Sequence, residues 1–474
     1  MHSIRLSTSK SLNTRTVVLV TRTGRIMNVT ERLCKFATET SYDQFDRKVA
    51  ERAKIALLDA TGVMLGGSAT KPGKAIINFV LQIDDKKEAS IIGAGDMTSH
   101  QNAAFVNGSL AEILELQDGH RDSGLHPSSV VPATAMALSE YTCVDGKEFI
   151  SAMIIGYELM TRIGRAIRLS HVRTGTIGTG VYGAIASAAT AGKLIGLDRS
   201  KMLDALGIAG YFTPLSLSGS YDGQTVKPLN TGQAACVGIT SALLASKGFT
   251  GSRNIVSELY SGISRKIDEN IAISRLGKSF EITNLYFKRF PCCRFIHAAA
   301  EATLDLVVRH RIESALVNSI IVRTFRVATS LRRYTNTKSN YVECQFSIPY
   351  VVAAAFLDRQ LTTQQFFSER IVDTKIHELA KKVRVVLDKD VDKQFPRKYA
   401  ATVSIRMKNG KTHTRDVAHP KGDPENPLTD NELIAKFRQM STQVIGAEKT
   451  DRVVKRILTL EEENDISSLV RSLH

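Results

Sequence analysis

The chain has no tryptophan, only six cysteines in 474 residues, and no run approaching the ~18 uncharged apolar residues of a membrane span. The last absence excludes a helical membrane anchor. Cys34, Cys143, Cys236, Cys292, Cys293 and Cys344 are too sparse for a disulfide framework, and no secretory apolar region precedes them, so a reducing compartment is expected. The adjacent pair Cys292–Cys293 lacks the spacing of a zinc site.

A clustered basic stripe is also missing. The net charge is +16, yet Lys and Arg are scattered and no helix-turn-helix or RNA-binding signature accompanies them. Nucleic acid is therefore not an expected partner, whereas a small anionic substrate fits the same balance. Part of the charge is local: residues 1–27 carry Arg5, Lys10, Arg15, Arg22 and Arg25, with no acid before Glu31. This stretch reads as a disordered extension, as the consequence of a start at Met27, or as an organelle transit peptide. The expected location is cytoplasmic, or mitochondrial if residues 1–27 are a transit peptide.

A chain of this length exceeds the roughly 250–300 residues that one hydrophobic core serves, so two lobes are expected. Residues 28–285 read as helical. Val49, Ala53, Ala56, Leu57, Ala60, Val63 and Met64 recur at helical spacing, with Gly66-Gly67 expected to end the segment. Further helices are expected at 103–115, 154–167, 181–195 and 232–247, with Gly248 in a left-handed cap. Residues 286–418 change texture. Stretches 317–325 and 382–387 are β-branched, 402–414 reads as a hairpin turning at Asn409-Gly410, and helical segments flank them. From 419 to 474 the chain returns to helix, through a capping box at Thr429 and Glu432. The expected fold is mainly α, a large all-helical domain with a smaller α+β insert.

The densest chemical candidate begins at Glu115 and runs through Asp118, His120, Arg121 and Asp122 to His126. Histidine exchanges protons near neutral pH, and a neighbouring carboxylate fixes its tautomer. The competing reading is a solvated loop in which His120 and Asp122 only cap helices. The spacing of Asp118, His120 and His126 matches no metal motif. Gly178, Gly180 and Gly183 match the dinucleotide fingerprint, followed by Asp198, but no strand precedes them; a nicotinamide cofactor is a distant alternative to a tight turn into a helix. Lys227 precedes a helix, and Lys288, Arg294 and His297 mark the junction between the two textures. Such cations can clamp carboxylates in a cleft between lobes, or simply flank helix starts.

Six motifs in order resemble the MmgE/PrpD family: residues 57–67, 118–127, 156–158, 225–232, 288–297 and 422–427. The resemblance covers about residues 28–474. It implies a helical domain built from both chain ends, an α+β lid, a homodimer, and an enzyme that needs no metal or cofactor. By residue it implies His126 as the active-site histidine, Asp118 as the acidic position upstream, and Lys227 and Lys288 as the two lysines. His120, Cys293, His171 and Thr174 depart from the decarboxylase branch of the family. The expected activity is a lyase acting on a small polycarboxylate by proton abstraction, with catalytic His126, Asp118 and His120, and with Lys227, Lys288, Arg294 and His297 holding substrate. The alternative is an isomerase or epimerase of a dicarboxylate.

Overall fold

The computed structural model describes residues 27–473, apart from 168, 171–175, 214–222, 264–267 and 368. The basic leader expected over 1–27 lies outside the described residues except for Met27, as do His171 and Thr174.

Helices dominate the first part: α1 (Val29–Glu39), α2 (Arg47–Ser68), α3 (Lys71–Ile83), α4 (His100–Ile113), α5 (Val131–Thr142), α6 (Gly146–Ala166), α7 (Gly178–Leu194), α8 (Arg199–Tyr211) and α9 (Lys227–Ser246). Their starts carry the expected chemistry. Asn28 and Glu31 cap α1 reciprocally, and the side chains of Thr70, Asp145 and Asp198 each accept a backbone N–H of the helix that follows. Two short ladders lie among these helices: β1 (Ala89–Ile91) with β2 (Asp96–Thr98), and β3 (Gly119–His120) with β4 (Leu285–Tyr286).

The insert opens with α10 (His297–His310) and holds a four-stranded sheet, with α11 (Ile348–Asp358) and α12 (Thr374–Ala380) between its strands. Sheet order is β6 (Val383–Leu387), β5 (Val317–Thr324), β7 (Ala401–Met407), β8 (Thr412–Val417). β5 pairs parallel with β6 and antiparallel with β7. The β7–β8 hairpin turns where expected, with Gly410 at φ +86. The chain then closes on α13 (Asp430–Ile445), whose Thr429–Glu432 capping box is formed, and α14 (Ala447–Leu458).

Two apolar clusters follow this order. One runs from Val29 to Phe287 and is completed by Leu428 to Leu473; the other holds Phe290 to Val417. The fold is thus mainly α with a smaller α+β unit inserted, as expected. Among the described residues no helix is long and apolar enough to cross a membrane.

Two expectations about glycine need correction. Gly66-Gly67 does not end α2, which runs to Ser68. A Cβ on Gly67 would collide with the Leu110 carbonyl, so this glycine lets α2 and α4 approach. Likewise Gly178, Gly180 and Gly183 are buried inside α7, and a Cβ on Gly180 would strike the Asn230 side chain of α9. That fingerprint is a helix-packing stripe, which removes the sequence basis for a nicotinamide cofactor.

Candidate active site

Glu112 lies in the last turn of α4 and Glu115 two residues past its end, so two carboxylates stand close together where the helix stops. Both are buried, at 1% and 3% exposure. A buried carboxylate needs a partner, and lysines far away in sequence supply it. Lys227, the first residue of α9, contacts Glu112 and lies 2.6 Å from Glu115 Oε2. Lys288, two residues past β4, reaches Glu115 Oε1 at 2.7 Å and is fully buried. Ser129 also donates to Glu112. Glu115 itself has φ +51, a left-handed position past a helix end that glycine usually takes. Holding a glutamate there costs about 1–3 kcal/mol, and such positions gather at functional sites.

His126 completes the cluster. One of its ring nitrogens lies within 4.8 Å of carboxylate oxygens of both Glu112 and Glu115. Its Nδ1 sits 2.7 Å from the Asp118 carbonyl and must donate there, leaving the Nε2 lone pair free to accept a proton. Burial and the Lys288 ammonium push the imidazole pKa down to about 3, so His126 is neutral. Burial and Lys288 also push Lys227 downward. Of these five side chains, His126 and Lys227 keep partial exposure, which marks the open side of the site.

The frame of this cluster comes from the seam between domain and insert. β3 pairs with β4 in the register Gly119 to Tyr286, which brings the His126 loop beside the Lys288 segment. Arg52 of α2 donates to the Leu285 carbonyl at 2.8 Å and lies over the Phe287 ring. Gln345 of the insert donates to the Ile113 carbonyl at the end of α4, while its own carbonyl receives the Cys293 N–H. Burial and Glu115 push the Cys293 thiol up to about 12, so it stays protonated.

The other expected site residues stand around this cluster in different ways. The Asp118 carboxylate points away from His126, accepting from Tyr157 at 2.9 Å and from the Ser128 N–H at 3.1 Å. It orients His126 through its main chain instead. His120 faces Ser123 and Glu281, at 3.1 and 3.2 Å. Arg294 is committed to Asp423, the Pro420 carbonyl and His297, and its guanidinium lies 4.6 Å over the Tyr286 ring. His297 Nε2 faces the Cys292 carbonyl. The structure therefore gathers His126, Lys227 and Lys288 around the Glu112 and Glu115 carboxylates, and joins Arg294 and His297 to each other. Glu112 and Tyr286 went unread; the signal for Glu112 was an acid on an otherwise apolar helical face. The ring of Tyr286 stands edge-on to His126 at 6.5 Å.

Two groupings of acids and histidine resemble metal ligand sets among the described residues: Glu112, Glu115 and His126, and His419, Asp423 and Glu425. Ammonium groups already neutralise the first. Arg121 and Arg294 neutralise the second. Neither donor set fits a divalent cation without displacing a paired cation.

Comparison with known proteins gives a consistent picture. The family model described as MmgE/PrpD N-terminal domain matches residues 31–268, and that described as MmgE/PrpD C-terminal domain matches residues 290–460. A cis-aconitate decarboxylase of Aspergillus terreus is 27% identical, covering 94% of this chain and 96% of the relative. A cis-aconitate decarboxylase of Mus musculus is 26% identical over 90% and 89% of the two chains. A mitochondrial 2-methylcitrate dehydratase of Yarrowia lipolytica is 24% identical over 77% and 75%.

Proposed function

The chain belongs to the MmgE/PrpD family, and on that footing we propose that it is a lyase of small polycarboxylates that moves a proton at a carbon beside a carboxylate. The observation that carries this reading is the meeting of neutral His126 with the buried Lys288 and half-buried Lys227 ammonium groups around Glu112 and Glu115. Each ammonium has three N–H donors. Among the described residues Lys227 uses two, on Glu112 and Glu115, and Lys288 uses one, on Glu115. Unpaired donors on a fully buried lysine are costly. A substrate carboxylate entering past His126 and Lys227 would satisfy them.

The chemistry follows from that placement. A bound polyanion offsets the Lys288 charge and raises the basicity of His126. The Nε2 lone pair takes the proton from the α-carbon, and the electron pair moves into the carboxylate held by the lysines. Well-placed donors to such an enediolate contribute about 3–4 kcal/mol each in comparable sites. Loss of a β-hydroxyl as water then gives an alkene. If the carbon–carbon bond to a carboxylate breaks instead, carbon dioxide leaves and the carbanion takes a proton. Glu112 and Glu115 hold the lysines in place and keep the empty site near neutrality.

The relatives named as cis-aconitate decarboxylases cover more of the chain than the dehydratase, so cis-aconitate is the first substrate to offer. Purified protein is incubated separately with cis-aconitate, 2-methylcitrate, citrate and iminodisuccinate, and products are followed by mass and proton NMR. Loss of carbon dioxide or water from one of them is the expected result. Unchanged mass with altered stereochemistry would make the chain an isomerase. No change in any of the four would remove the polycarboxylate reading.

A further inference from the structure

A cavity of about 440 Å³ opens on the insert between α10, the end of α11 and the segment that follows Lys288. That volume falls within the range of small-molecule sites. Three arginines converge on it: Arg289, Arg309 and Arg359. All three are exposed, and among the described residues none has an acidic group at ion-pair distance; the Arg289 guanidinium lies 5.1 Å over the Phe290 ring. The one carboxylate in the wall, Asp305, is engaged by Arg415 at 3.1 Å. Glu301 lies near enough to feel Arg289, but it accepts the Lys421 N–H. Arg359 takes φ +53 just past the end of α11, where glycine is the low-cost choice. The floor is apolar, formed by Phe290, Leu304 and Leu361, the first and last of them buried.

We infer that this cavity is a binding site for a small organic anion, one carrying a phosphate or carboxylate on an apolar body. Guanidinium groups with no acidic partner among the described residues supply charge-assisted, forked hydrogen bonds to such a head group, and the floor takes the hydrocarbon. The place is distinct from the cluster around Glu115, because Arg289 is exposed while its neighbour Lys288 is buried. The two sites are nevertheless joined. Phe290 packs its ring 5.3 Å from that of His297, which contacts Arg294, and Arg289 adjoins Lys288 in the chain. An occupant that orders Arg289 and Phe290 therefore acts on the segment carrying Lys288, so the cavity is placed to regulate the active site. This inference needs no particular reaction at that site.

Isothermal titration of the full chain with phenyl phosphate tests it, beside the double variant R309Q/R359Q and the active-site variant K227M. Thermal melts confirm that each variant is folded. Losing two charge-assisted bonds is expected to weaken phenyl phosphate at least about tenfold in R309Q/R359Q, while K227M binds as the parent does. Equal binding by R309Q/R359Q, loss of binding in K227M, or no binding by the parent would each overturn the inference. Inorganic phosphate is titrated as the comparison. Binding as tight as that of phenyl phosphate would overturn the assigned ligand class, since the apolar floor would then contribute nothing.

Discussion

Lys288 Nζ lies 2.7 Å from Glu115 Oε1, and these two buried side chains are brought together from 173 residues apart. The pair joins the end of α4 to the segment after β4, across the seam where the insert leaves the helical domain. Breaking a buried pair from one side is far more damaging than removing both partners. Lys288→Met is expected to cost about 1–3 kcal/mol of stability, because Glu115 then keeps only the Lys227 ammonium that it shares with Glu112. Glu115→Gln combined with Lys288→Met should recover much of that stability but none of the activity. Denaturant unfolding read beside turnover checks both halves; a double variant no more stable than the single would contradict the pairing.

His126→Asn keeps a polar side chain of similar reach but removes the basic nitrogen. Turnover is expected to fall by about 10²–10⁴-fold, the usual worth of a positioned general base. The melting temperature should stay within a few degrees of the parent. A variant that keeps full turnover would take His126 out of the reaction.

Asp118 supplies a pH signature. Burial, with Asp59 adding to it, pushes its carboxyl from 3.8 up to about 6, against the opposing bonds from Ser128 and Tyr157. Between those values the folded protein holds a proton that the unfolded chain has lost. Stability from this group is therefore full below pH 3.8 and declines as pH rises through 6, by about 3 kcal/mol in all. Asp118→Asn should remove that component, so the stability difference between parent and variant should change across pH 4–6 and be flat above. Urea unfolding at a series of pH values measures it.

Gly67→Ala tests the helix approach that sets Glu112 and Glu115 in place. The added Cβ meets the Leu110 carbonyl, which is backbone and yields little. A cost of about 1–3 kcal/mol is expected from overpacking. Activity should fall with it, because both carboxylates stand where α4 stops; calorimetry and turnover read the two effects.

The motifs made His126, Lys227 and Lys288 legible because each carries its chemistry in its residue type and in a recognisable local pattern. Their common partners were legible only in part: Glu115 opens the polar run that ends at His126, and Glu112 lies outside it. Glu112 and Glu115 sit at the end of an apolar helix, where an acid reads equally well as the solvated rim, and only the tertiary contacts to Lys227 and Lys288 decide otherwise. His120 shows the opposite failure: proximity in sequence to His126 suggested a shared task, yet the β3–β4 ladder turns its ring toward Glu281. Arg294 reads as a carboxylate clamp in isolation, but the loop at Pro420 and Asp423 occupies it. The glycine-rich run at 178–183 failed because the fingerprint depends on a preceding strand, and close packing against α9 requires the same small residues. Helix and hairpin positions in both lobes were readable from periodicity and turn chemistry, which are local. Side-chain pairings across the seam are not.

The most direct test of the central claim is proton NMR in D₂O on the substrate that turns over, with the parent enzyme and His126→Asn compared at equal concentration. Deuterium entering the carbon beside a carboxylate with the parent, and none with the variant, is the predicted result. Equal deuterium incorporation by the variant, or a decarboxylated product formed by the parent with no solvent deuterium in it, would contradict proton transfer by His126.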